Sequence, residues 1–466
     1  MILFAILAQI VALAFPGLKK SLGHLLFIRI STLVFLYSAL ISFNIYYLNQ
    51  INSGIGIYSG LFKVSTINQL FEIFLFIIAS LILIAMHSNK SEVVKIDEEN
   101  KKGVKTEENK DLNYFSEYSL IVLFSTLGSS LLLSSYDLIS LYLSIELQSF
   151  GVYILTTLRI HRNSEKSSNA GLKYFLLGGL SSCLILLGCG LIYSYTGLTN
   201  LEGIYSLLSV YDTTLSTQGS SLGLILIMLG LLFKISAAPL HNWSPDVYDA
   251  SPTIVTIWIT IMPKISILIF LLDLITQSSI GMGIVEVGQI NYNYTTYNEF
   301  INLKDSIKLL LLLTSALSLI IGTVVGLSQR RIKRVLAYST ISHIGFILLA
   351  LAINTEQSIE SLIFYIIQYT ISNLTIFLVI IGFGYVIKGV HPITISKTSA
   401  FAPASTGSGK GSPESQRENS KSSNENLEDI ELIYDIKGQF FTNPLLSLSL
   451  TICLFSMAGI NQKSAC

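Results

Sequence analysis

The chain has 466 residues, of which 51% are hydrophobic and only 12% are charged, and its mean hydropathy is +0.63. Soluble domains carry about 25% charged residues, so this composition excludes an ordinary soluble domain and indicates an integral membrane protein. The 29 basic and 29 acidic side chains give zero net charge, which argues against a nucleic-acid partner held by bulk electrostatics.

Apolar segments recur along almost the whole chain, each about long enough to cross a bilayer as an α-helix. Transmembrane strands would instead give segments of about ten residues with alternating hydrophobicity. The sequence therefore predicts an all-α polytopic membrane protein with about 11 complete transmembrane helices and a truncated twelfth. The predicted spans lie near 1–16, 25–48, 67–86, 118–136, 138–158, 170–195, 222–241, 251–275, 306–328, 334–354 and 358–387, and the last one begins at Pro444.

Basic residues alternate between the predicted loops. Loops such as 196–221 and 354–361 carry almost none, and the basic groups lie in the loops between them. This pattern obeys the positive-inside rule and places the N-terminus outside, with the basic loops in the cytoplasm or the compartment descended from it. The basic groups are Lys19 and Lys20, Lys90 to Lys110, Arg159 to Lys166, Arg330 to Arg334, and Lys388 to Lys437.

Two polar stretches interrupt the apolar pattern, and neither carries a recognisable site. Residues 88–113 mix both charge signs and are predicted to form a solvated loop, while residues 396–428 form a low-complexity insertion. The run around Lys410 imitates a phosphate-binding loop, but Ala404 stands where a glycine is needed and no G-x-G-x-x-G occurs. The cysteines do not have the spacing of a metal or cluster ligand set, so we expect no metal and no cofactor in this chain.

Glu146 is the first ionisable residue inside an apolar predicted helix. Each such group in hydrocarbon costs roughly 2.5–3.5 kcal/mol on insertion scales, so its presence needs a compensating partner or function. Two interpretations remain open, a structural ion pair between helices and a carboxylate that carries a proton. Cationic residues in other spans favour the second.

Lys234 lies in the predicted span 222–241, and Pro239 follows it closely. Burial disfavours the charged ammonium, which allows such a lysine to exchange protons near neutral pH. Pro239 lacks an amide donor and is predicted to break the helix, and broken helices in membranes mark conduction sites. An ordinary helix stop at the interface is the alternative, because His241 follows at once; His241 is also a candidate proton relay.

Lys264 and His343 occupy two later apolar helices. Lys264 follows Pro263, and the alternative to a buried proton carrier is a side chain that reaches back to the interface. His343 titrates near neutrality and is a candidate relay, although a single buried histidine is often only a hydrogen-bonded core residue. Together with Glu146 and Lys234, these residues predict a polar axis along the plane of the membrane.

Four runs in this chain resemble the antiporter-like proton-pumping subunits of respiratory complex I, over about residues 115–385. The runs are Leu-Tyr-Leu-Ser-Ile-Glu-Leu-Gln-Ser-Phe at 141–150, Ala-Gly-Leu-Lys-Tyr-Phe-Leu-Leu-Gly-Gly-Leu-Ser-Ser at 170–182, Leu-Leu-Phe-Lys-Ile-Ser-Ala-Ala-Pro-Leu-His at 231–241 with its continuation to 253, and Ile-Lys-Arg-Val-Leu-Ala-Tyr-Ser-Thr-Ile-Ser-His-Ile-Gly-Phe at 332–346. The resemblance implies an antiporter-like bundle with inverted five-helix repeats. It implies that Glu146 is the membrane glutamate of the first half-channel, Lys234 the broken-helix lysine and Lys264 the central connecting lysine.

The resemblance also implies a domain organisation and one departure from the family. Residues 1–114 would hold three N-terminal helices and a charged loop, 115–275 the first five-helix repeat, and 276–466 the second, incomplete inverted repeat. In the family a second broken helix carries a further lysine. Here the run at 456–460 turns into Asn-Gln-Lys-Ser-Ala-Cys, and Lys463 has the wrong context for that role. We therefore expect a C-terminal truncation that removes the second exit-side site.

The function implied by the resemblance is proton translocation across the mitochondrial inner membrane by a multi-pass subunit. NADH, FMN, iron–sulfur clusters and ubiquinone would be bound by other subunits, and the partners would be membrane-arm subunits and the lipid bilayer. The apolar N-terminal segment is expected to be a retained span, and an Arg-rich, Ser-rich import peptide is not expected. A subunit of a multi-subunit cation/proton antiporter is the alternative.

Overall fold

The structure is a computed structural model that describes residues 1–48, 54–100, 114–158, 165–210, 214–283, 294–398 and 432–457. The N-terminal part consists of helices α1 (Ile2–Ala14), α2 (Pro16–Tyr46) and α3 (Thr66–Asn100), with strands β1 (Ile55–Ile57) and β2 (Phe62–Val64) between the second and the third. The strands pair antiparallel, Ile55 with Val64 and Ile57 with Phe62. This short hairpin was not predicted from the sequence.

The middle of the chain forms seven helices: α4 (Tyr114–Ser134), α5 (Leu138–Thr157), α6 (Glu165–Thr196), α7 (Leu201–Val210), α8 (Thr214–Lys234), α9 (Trp243–Ala250) and α10 (Thr253–Gly283). The last part contains α11 (Tyr294–Leu327), α12 (Ile332–Ile353), α13 (Glu356–Thr398), a 3-10 turn at Ile433–Ile436, α14 (Gln439–Thr442) and α15 (Pro444–Met457).

Each predicted span coincides with an apolar helix. Within the described residues, 9 helices are long and apolar enough to cross a membrane, and Ile2–Ala14, Gly219–Lys234 and Pro444–Met457 are shorter apolar helices. The count of eleven complete spans, the inverted repeats and the division into three domains remain predictions. The predicted C-terminal truncation, including Lys463, and most of the insertion at 396–428 lie outside the described residues.

Predicted boundaries differ from the structure at several helix ends; for example, α13 continues to Thr398, beyond the predicted end at 387. Two further differences concern segments singled out in the sequence. Helix α3 continues to Asn100, so the first part of the segment 88–113 is helical and not an irregular loop, because its glutamates and lysines are good helix formers. The predicted span 222–241 ends earlier, at Lys234, because the backbone leaves the helical conformation before Pro239 is reached.

Helix α10 is the centre of the bundle. Within its apolar stretch Thr253–Thr276, 94% of the most hydrophobic segment is buried inside the protein. This buried fraction is the largest among the described apolar helices that are long enough to span a membrane. Polar contacts connect α10 to its neighbours, since Trp258 Nε1 donates to Ser125 Oγ on α4 at 3.0 Å and Gln148 Nε2 on α5 donates to Ser266 Oγ at 2.9 Å. Side chains in the stretch Thr253–Thr276 therefore pack mainly against other parts of the protein.

Candidate proton-transfer site

Glu146 lies in the middle of α5, and this helix has a well-defined start. Asp137 caps it by accepting a hydrogen bond from the Ile139 amide at 2.9 Å, and the Ser140 hydroxyl completes a capping box. From this fixed start, Glu146 is turned into the bundle, where 15% of its side chain is exposed.

Lys234 is the last residue of α8 and faces Glu146. Its Nζ lies 3.7 Å from Glu146 Oε1, and 9% of the lysine side chain is exposed. Neither atom has a hydrogen-bond partner among the described residues, so the ion pair is the main compensation for burying both charges. The position at a helix C-terminus also favours a cation, because the helix dipole places partial negative charge there.

The chain between α8 and α9 is an irregular segment that contains Pro239. Ser236 adopts a left-handed conformation with φ of 63°, so the helix has ended before the proline. The carbonyl of Phe233 in the last turn is capped by the Trp243 indole N–H at 3.0 Å. Pro239 itself is exposed, within the break and not at its start.

A small cavity of about 20 Å³ adjoins Lys234 between α5, α6, α8 and α10. That volume is enough for one water molecule, since roughly 10–15 Å³ is needed. Polar lining comes from Gln148 and Ser149, and Pro263 contributes the wall formed by α10. The cavity therefore connects the lysine with the Gln148–Ser266 hydrogen bond that joins α5 to α10.

Lys264 is enclosed on α10, with 1% of the residue exposed. Its Nζ donates to Thr340 Oγ1 on α12 at 3.3 Å and lies 5.6 Å from the centre of the Tyr248 ring. The predicted alternative, in which the stem reaches the interface, therefore does not occur in this structure. The hydroxyl and the aromatic face that stabilise the ammonium of Lys264 are both uncharged groups.

His343 lies on α12, one turn beyond Thr340. Its Nδ1 is 2.7 Å from the Tyr365 hydroxyl on α13, and its ring lies 5.6 Å from the ring of Tyr369. Lys264 is close enough to His343 to interact with it electrostatically. Lys264 and His343 thus belong to one polar group, while Glu146 and Lys234 form another, and α10 takes part in both.

His241 lies apart from these two groups. Its Nδ1 is 3.2 Å from the carbonyl of Pro239, and its ring is 6.3 Å from that of Tyr338. It is partly exposed at the end of the molecule where the basic residues of α12 begin. The structure therefore does not bring His241 into contact with either polar group.

Several residues near the site were not predicted from the sequence. They are neutral polar side chains, and the apolar helices contain so many serines and threonines that the important ones do not stand out. Gln148 offered the best signal, because it is a large amide in an apolar helix. The residues are Gln148, Ser266, Thr340, Tyr248, Tyr365, Tyr369 and Asn373.

A cluster of ion pairs lies beside α9, at the end of the molecule where the basic residues of α12 begin. Asp249 accepts hydrogen bonds from Arg331 Nη1 at 2.6 Å and from Arg334 Nε at 3.0 Å. Asp246 pairs with Arg334 at 3.2 Å and with Lys173 on α6 at 3.1 Å. Helix α9 is thereby connected to both α6 and α12.

Comparison with known proteins by sequence shows the family of this chain. Residues 135–404 match the family described as NADH:quinone oxidoreductase/Mrp antiporter, transmembrane. The NADH-ubiquinone oxidoreductase chain 2 of Rhizopus oryzae is 46% identical over 99% of this chain and 76% of its own length. The chain 2 protein of Marchantia polymorpha is 33% identical over 75% of this chain and 60% of its own length.

Among solved structures, respiratory complex I from Thermus thermophilus contains a chain with a TM-score of 0.63 at 23% identity, over 98% of this chain and 78% of that chain. The Mrp complex from Dietzia has a chain with a TM-score of 0.60 at 18% identity, over 82% of this chain and 63% of that one. Both show the same helical fold.

The predicted resemblance, and with it the antiporter-like helical membrane fold, is confirmed by these matches. The chain belongs to the NADH:quinone oxidoreductase/Mrp antiporter family, in the group of the chain 2 membrane subunits of respiratory complex I.

Proposed function

We propose that this chain translocates protons across the mitochondrial inner membrane as a membrane-arm subunit of complex I, and that Glu146, Lys234 and Lys264 carry the transfer. The observation that supports this most is the buried pair in which Lys234 Nζ and Glu146 Oε1 lie 3.7 Å apart beside a water-sized cavity and a helix break. A purely structural ion pair needs neither the cavity nor the break.

The exchange follows from the electrostatics of this pair. While Glu146 is ionised, its charge stabilises the ammonium of Lys234 at a distance of 3.7 Å. A proton that arrives on Glu146 neutralises the carboxylate and removes this stabilisation, so Lys234 releases its proton to the next acceptor. The cavity lined by Gln148 and Pro263 leads toward α10, where Lys264 is the next basic group.

The redox reaction belongs to other subunits in this proposal. NADH, FMN, iron–sulfur clusters and ubiquinone bind outside this chain, and ubiquinone reduction there drives the charges in this chain to exchange protons. His343 and His241 act as relays, the first beside Lys264 and the second at the basic end, and Pro239 maintains the break. The partners are the other membrane-arm subunits and the bilayer.

The test is proton pumping by the assembled complex with Lys234→Met, reconstituted in vesicles and measured together with NADH oxidation. We expect the complex to assemble and to lose most of its coupled proton pumping, because methionine fills most of the space of the lysine stem and cannot bind a proton. Lys308→Met, at an exposed lysine of α11, is the matched control and leaves pumping unchanged. Normal coupled pumping by Lys234→Met would refute the proposal.

A cation/proton antiporter subunit is the second candidate, favoured by the likeness in fold to the Mrp complex. It predicts sodium-dependent proton exchange in the absence of NADH, whereas the first proposal predicts co-migration with NADH oxidation activity on a native gel. These two measurements separate the candidates without any mutation.

A further inference from the structure

Charged and polar side chains gather around Asp273, near one end of α10. Helix α10 begins at Thr253, close to the ion pairs of Asp249, and Asp273 lies about 30 Å further along its axis at the usual rise per residue. Asp273 is half-buried and belongs to the last turn of the apolar stretch Thr253–Thr276. Its carboxyl group therefore lies between the interior of the bundle and the end of the molecule opposite the basic residues of α12.

Three other parts of the chain bring polar groups to this cluster. Asn68 of α3 forms a hydrogen bond with the Asp273 side chain, and Lys63 of β2 interacts with it electrostatically. Lys63 Nζ donates to the Tyr136 hydroxyl at 3.4 Å and lies 4.5 Å from the centre of that ring. Tyr136, in the connection between α4 and α5, interacts electrostatically with Asp273 and also with Glu202, which is exposed on α7. The cluster therefore extends from α10 to the exposed surface.

Main-chain contacts hold the hairpin β1–β2 at this end of the bundle. The Tyr136 amide donates to the Leu61 carbonyl at 3.0 Å, and the Leu201 amide donates to the Tyr136 carbonyl at 3.2 Å. The Tyr205 hydroxyl of α7 donates to the Leu274 carbonyl of α10 at 3.2 Å. The hairpin, the α4–α5 connection and α7 are thus joined around the end of α10.

Lys63 departs from the predicted alternation of basic loops. By that alternation the segment between α2 and α3 lies on the same side as loops 196–221 and 354–361, which carry almost no basic residues. A lysine on this side that acts on a half-buried carboxylate has a local electrostatic role and not a topological one.

Asp273 lies on the face of α10 that adjoins the first buried ion pair. Ser266 and Asp273 are two helical turns apart, so they share one side of the helix within roughly 20°. Ser266 is bonded to Gln148, which lines the cavity beside Lys234. The side of α10 that leads away from Lys234 therefore ends at a carboxyl group close to the exposed surface.

We propose that Asp273 exchanges protons between the Ser266 side of α10 and the water at this end of the bundle, and that Lys63 and Asn68 position its carboxylate. The inference rests on the proposed function and adds a residue to it. A proton that arrives forms an O–H bond on Asp273 and removes the charge that attracts Lys63. The O–H bond breaks when water at the exposed surface takes the proton, and the carboxylate again faces Lys63.

The other titratable groups near the cluster differ from Asp273 in acidity or position. Burial raises the pKa of Tyr136 to about 12, so its hydroxyl stays protonated. The Tyr205 hydroxyl is bonded to a main-chain carbonyl of α10. Glu202 is exposed, and Glu72 lies one helical turn beyond the asparagine of α3. Asp273 is therefore the acidic side chain placed between water and the interior.

The experiment measures proton pumping by the assembled complex in vesicles with Asp273→Asn, at matched NADH oxidation capacity. Asparagine keeps the size of the side chain and its hydrogen bond with Asn68 but cannot carry a proton. We expect pumping about a hundredfold slower, the low end of what a positioned proton-transfer group contributes. Asp273→Glu restores most of the rate. Glu356→Gln, at an exposed carboxylate in the first turn of α13, is the matched control and leaves pumping unchanged.

Lys63→Gln tests the same site through its pH profile, which a merely structural lysine would not move. Without the cation the carboxylate holds its proton more tightly, so we expect the pH profile of pumping to shift upward by about one pH unit. A lower Tm with an unshifted profile would show that Lys63 only attaches the hairpin, and it would overturn the exchange role. This measurement decides where Asp273→Asn does not assemble.

The outcomes separate this inference from the proposed function. If Lys234→Met abolishes pumping while Asp273→Asn has a lower Tm and pumps like the unmodified complex, the Asp273 cluster is structural, and only this inference fails. If Lys234→Met pumps normally, the proposed function itself fails.

Discussion

Lys234 and Lys264 are both enclosed by protein, but different groups stabilise their charges. Lys234 faces a carboxylate, and removing one partner of such a buried pair costs about 3–5 kcal/mol. Lys264 faces the hydroxyl of Thr340 and the ring of Tyr248, which are neutral. Protonation of Lys234 therefore depends on the charge state of Glu146, while protonation of Lys264 depends on how well neutral groups and water solvate it.

His241 provides a pH-dependent prediction at this scale. Burial lowers the pKa of His241 below its ordinary value of 6.5, and the hydrogen bond to the Pro239 carbonyl only partly opposes this. The unfolded chain therefore binds a proton more readily than the folded one, so His241 contributes stability at neutral pH that is lost as the pH falls below about 6.5.

We expect His241→Gln to lower the Tm at pH 7, because the hydrogen bond to Pro239 is removed. The difference in Tm between the two proteins should narrow on going to pH 5, where protonation destabilises only the chain that has the histidine. Thermal unfolding of the purified subunit at both pH values measures this. A difference that is independent of pH would contradict the assignment.

The charged residues of the candidate site can be singled out from the sequence, whereas its neutral residues cannot, for a physical reason. Glu146, Lys234 and Lys264 stand out because a charge in an apolar helix is costly and needs a reason. Thr340 does not stand out, because a hydroxyl in a membrane helix usually bonds the carbonyl of the preceding turn, as Thr340 also does with Ala337 at 2.8 Å. Which hydroxyl faces a lysine is decided by helix packing and not by local sequence.

At the scale of single elements, α4 and α5 pack closely enough for glycine to be required. A Cβ added at Gly128 would lie 2.5 Å from the backbone nitrogen of Gln148, and one added at Gly151 would lie 2.9 Å from Ser125 Cβ. This approach holds α5 against α4 on the side that carries Gln148. The position of Gln148 toward Ser266 thus depends on two residues that have no side chain.

Gly128→Ala is expected to destabilise the protein by about 1–3 kcal/mol, the usual effect of overpacking, because the atom that it meets is rigid backbone. Gly179→Ala on α6 is the matched control, since a Cβ there meets nothing within 4 Å. It should be neutral or stabilise by about 0.5–1 kcal/mol through helix propensity. Thermal unfolding of both variants in detergent measures the difference, and equal Tm values would contradict the packing argument.

Element boundaries were predicted less well than the elements themselves. Apolar length located the helices, because the bilayer sets that length. The end of α8 at Lys234 was missed, since Ser236 adopts its φ of 63° without a glycine or proline at that position to indicate it. The continuation of α3 to Asn100 is not predicted from apolar length, because the residues that extend the helix are charged.

At the scale of the whole molecule, the ion pairs around α9 join parts of the chain that are distant in sequence. Asp249 is the central acceptor, with 7% of its side chain exposed, while Arg331 and Arg334 are 41% and 37% exposed. Partial exposure of the arginines weakens each pair through solvent screening, yet both donate to the same oxygen. The contribution of the cluster to the stability of the fold therefore depends mainly on Asp249.

Asp249→Asn is expected to lower the free energy of unfolding by about 1–2 kcal/mol, between the values for exposed ion pairs and for hydrogen bonds to charged groups. The reason is that both arginines then donate to a neutral acceptor. Arg330→Gln changes the net charge by one unit next to the cluster and serves as the control. Denaturant unfolding at low and high salt measures the effect, which should shrink at high salt; an effect that does not depend on salt would contradict an electrostatic origin.

Lys173, Arg331 and Arg334 meet at one end of the bundle, where they pair with Asp246 and Asp249. The predicted basic loops 159–166 and 330–334 adjoin these residues in sequence. The ion pairs could not be predicted, because a positive-inside pattern specifies the side of the membrane and not the partner of each charge.

Helix α10 contacts two neighbouring helices through side chains that are close together in sequence. Ser266 and Lys264 are two residues apart, which separates them by roughly 200° around a helix with 3.6 residues per turn. The two side chains therefore point to opposite sides of the helix. Ser266 contacts Gln148 on one side, and Lys264 contacts Thr340 on the other. A rotation of α10 about its own axis would break both contacts together, so this one helix couples the neighbourhood of Gln148 on α5 to that of Thr340 on α12.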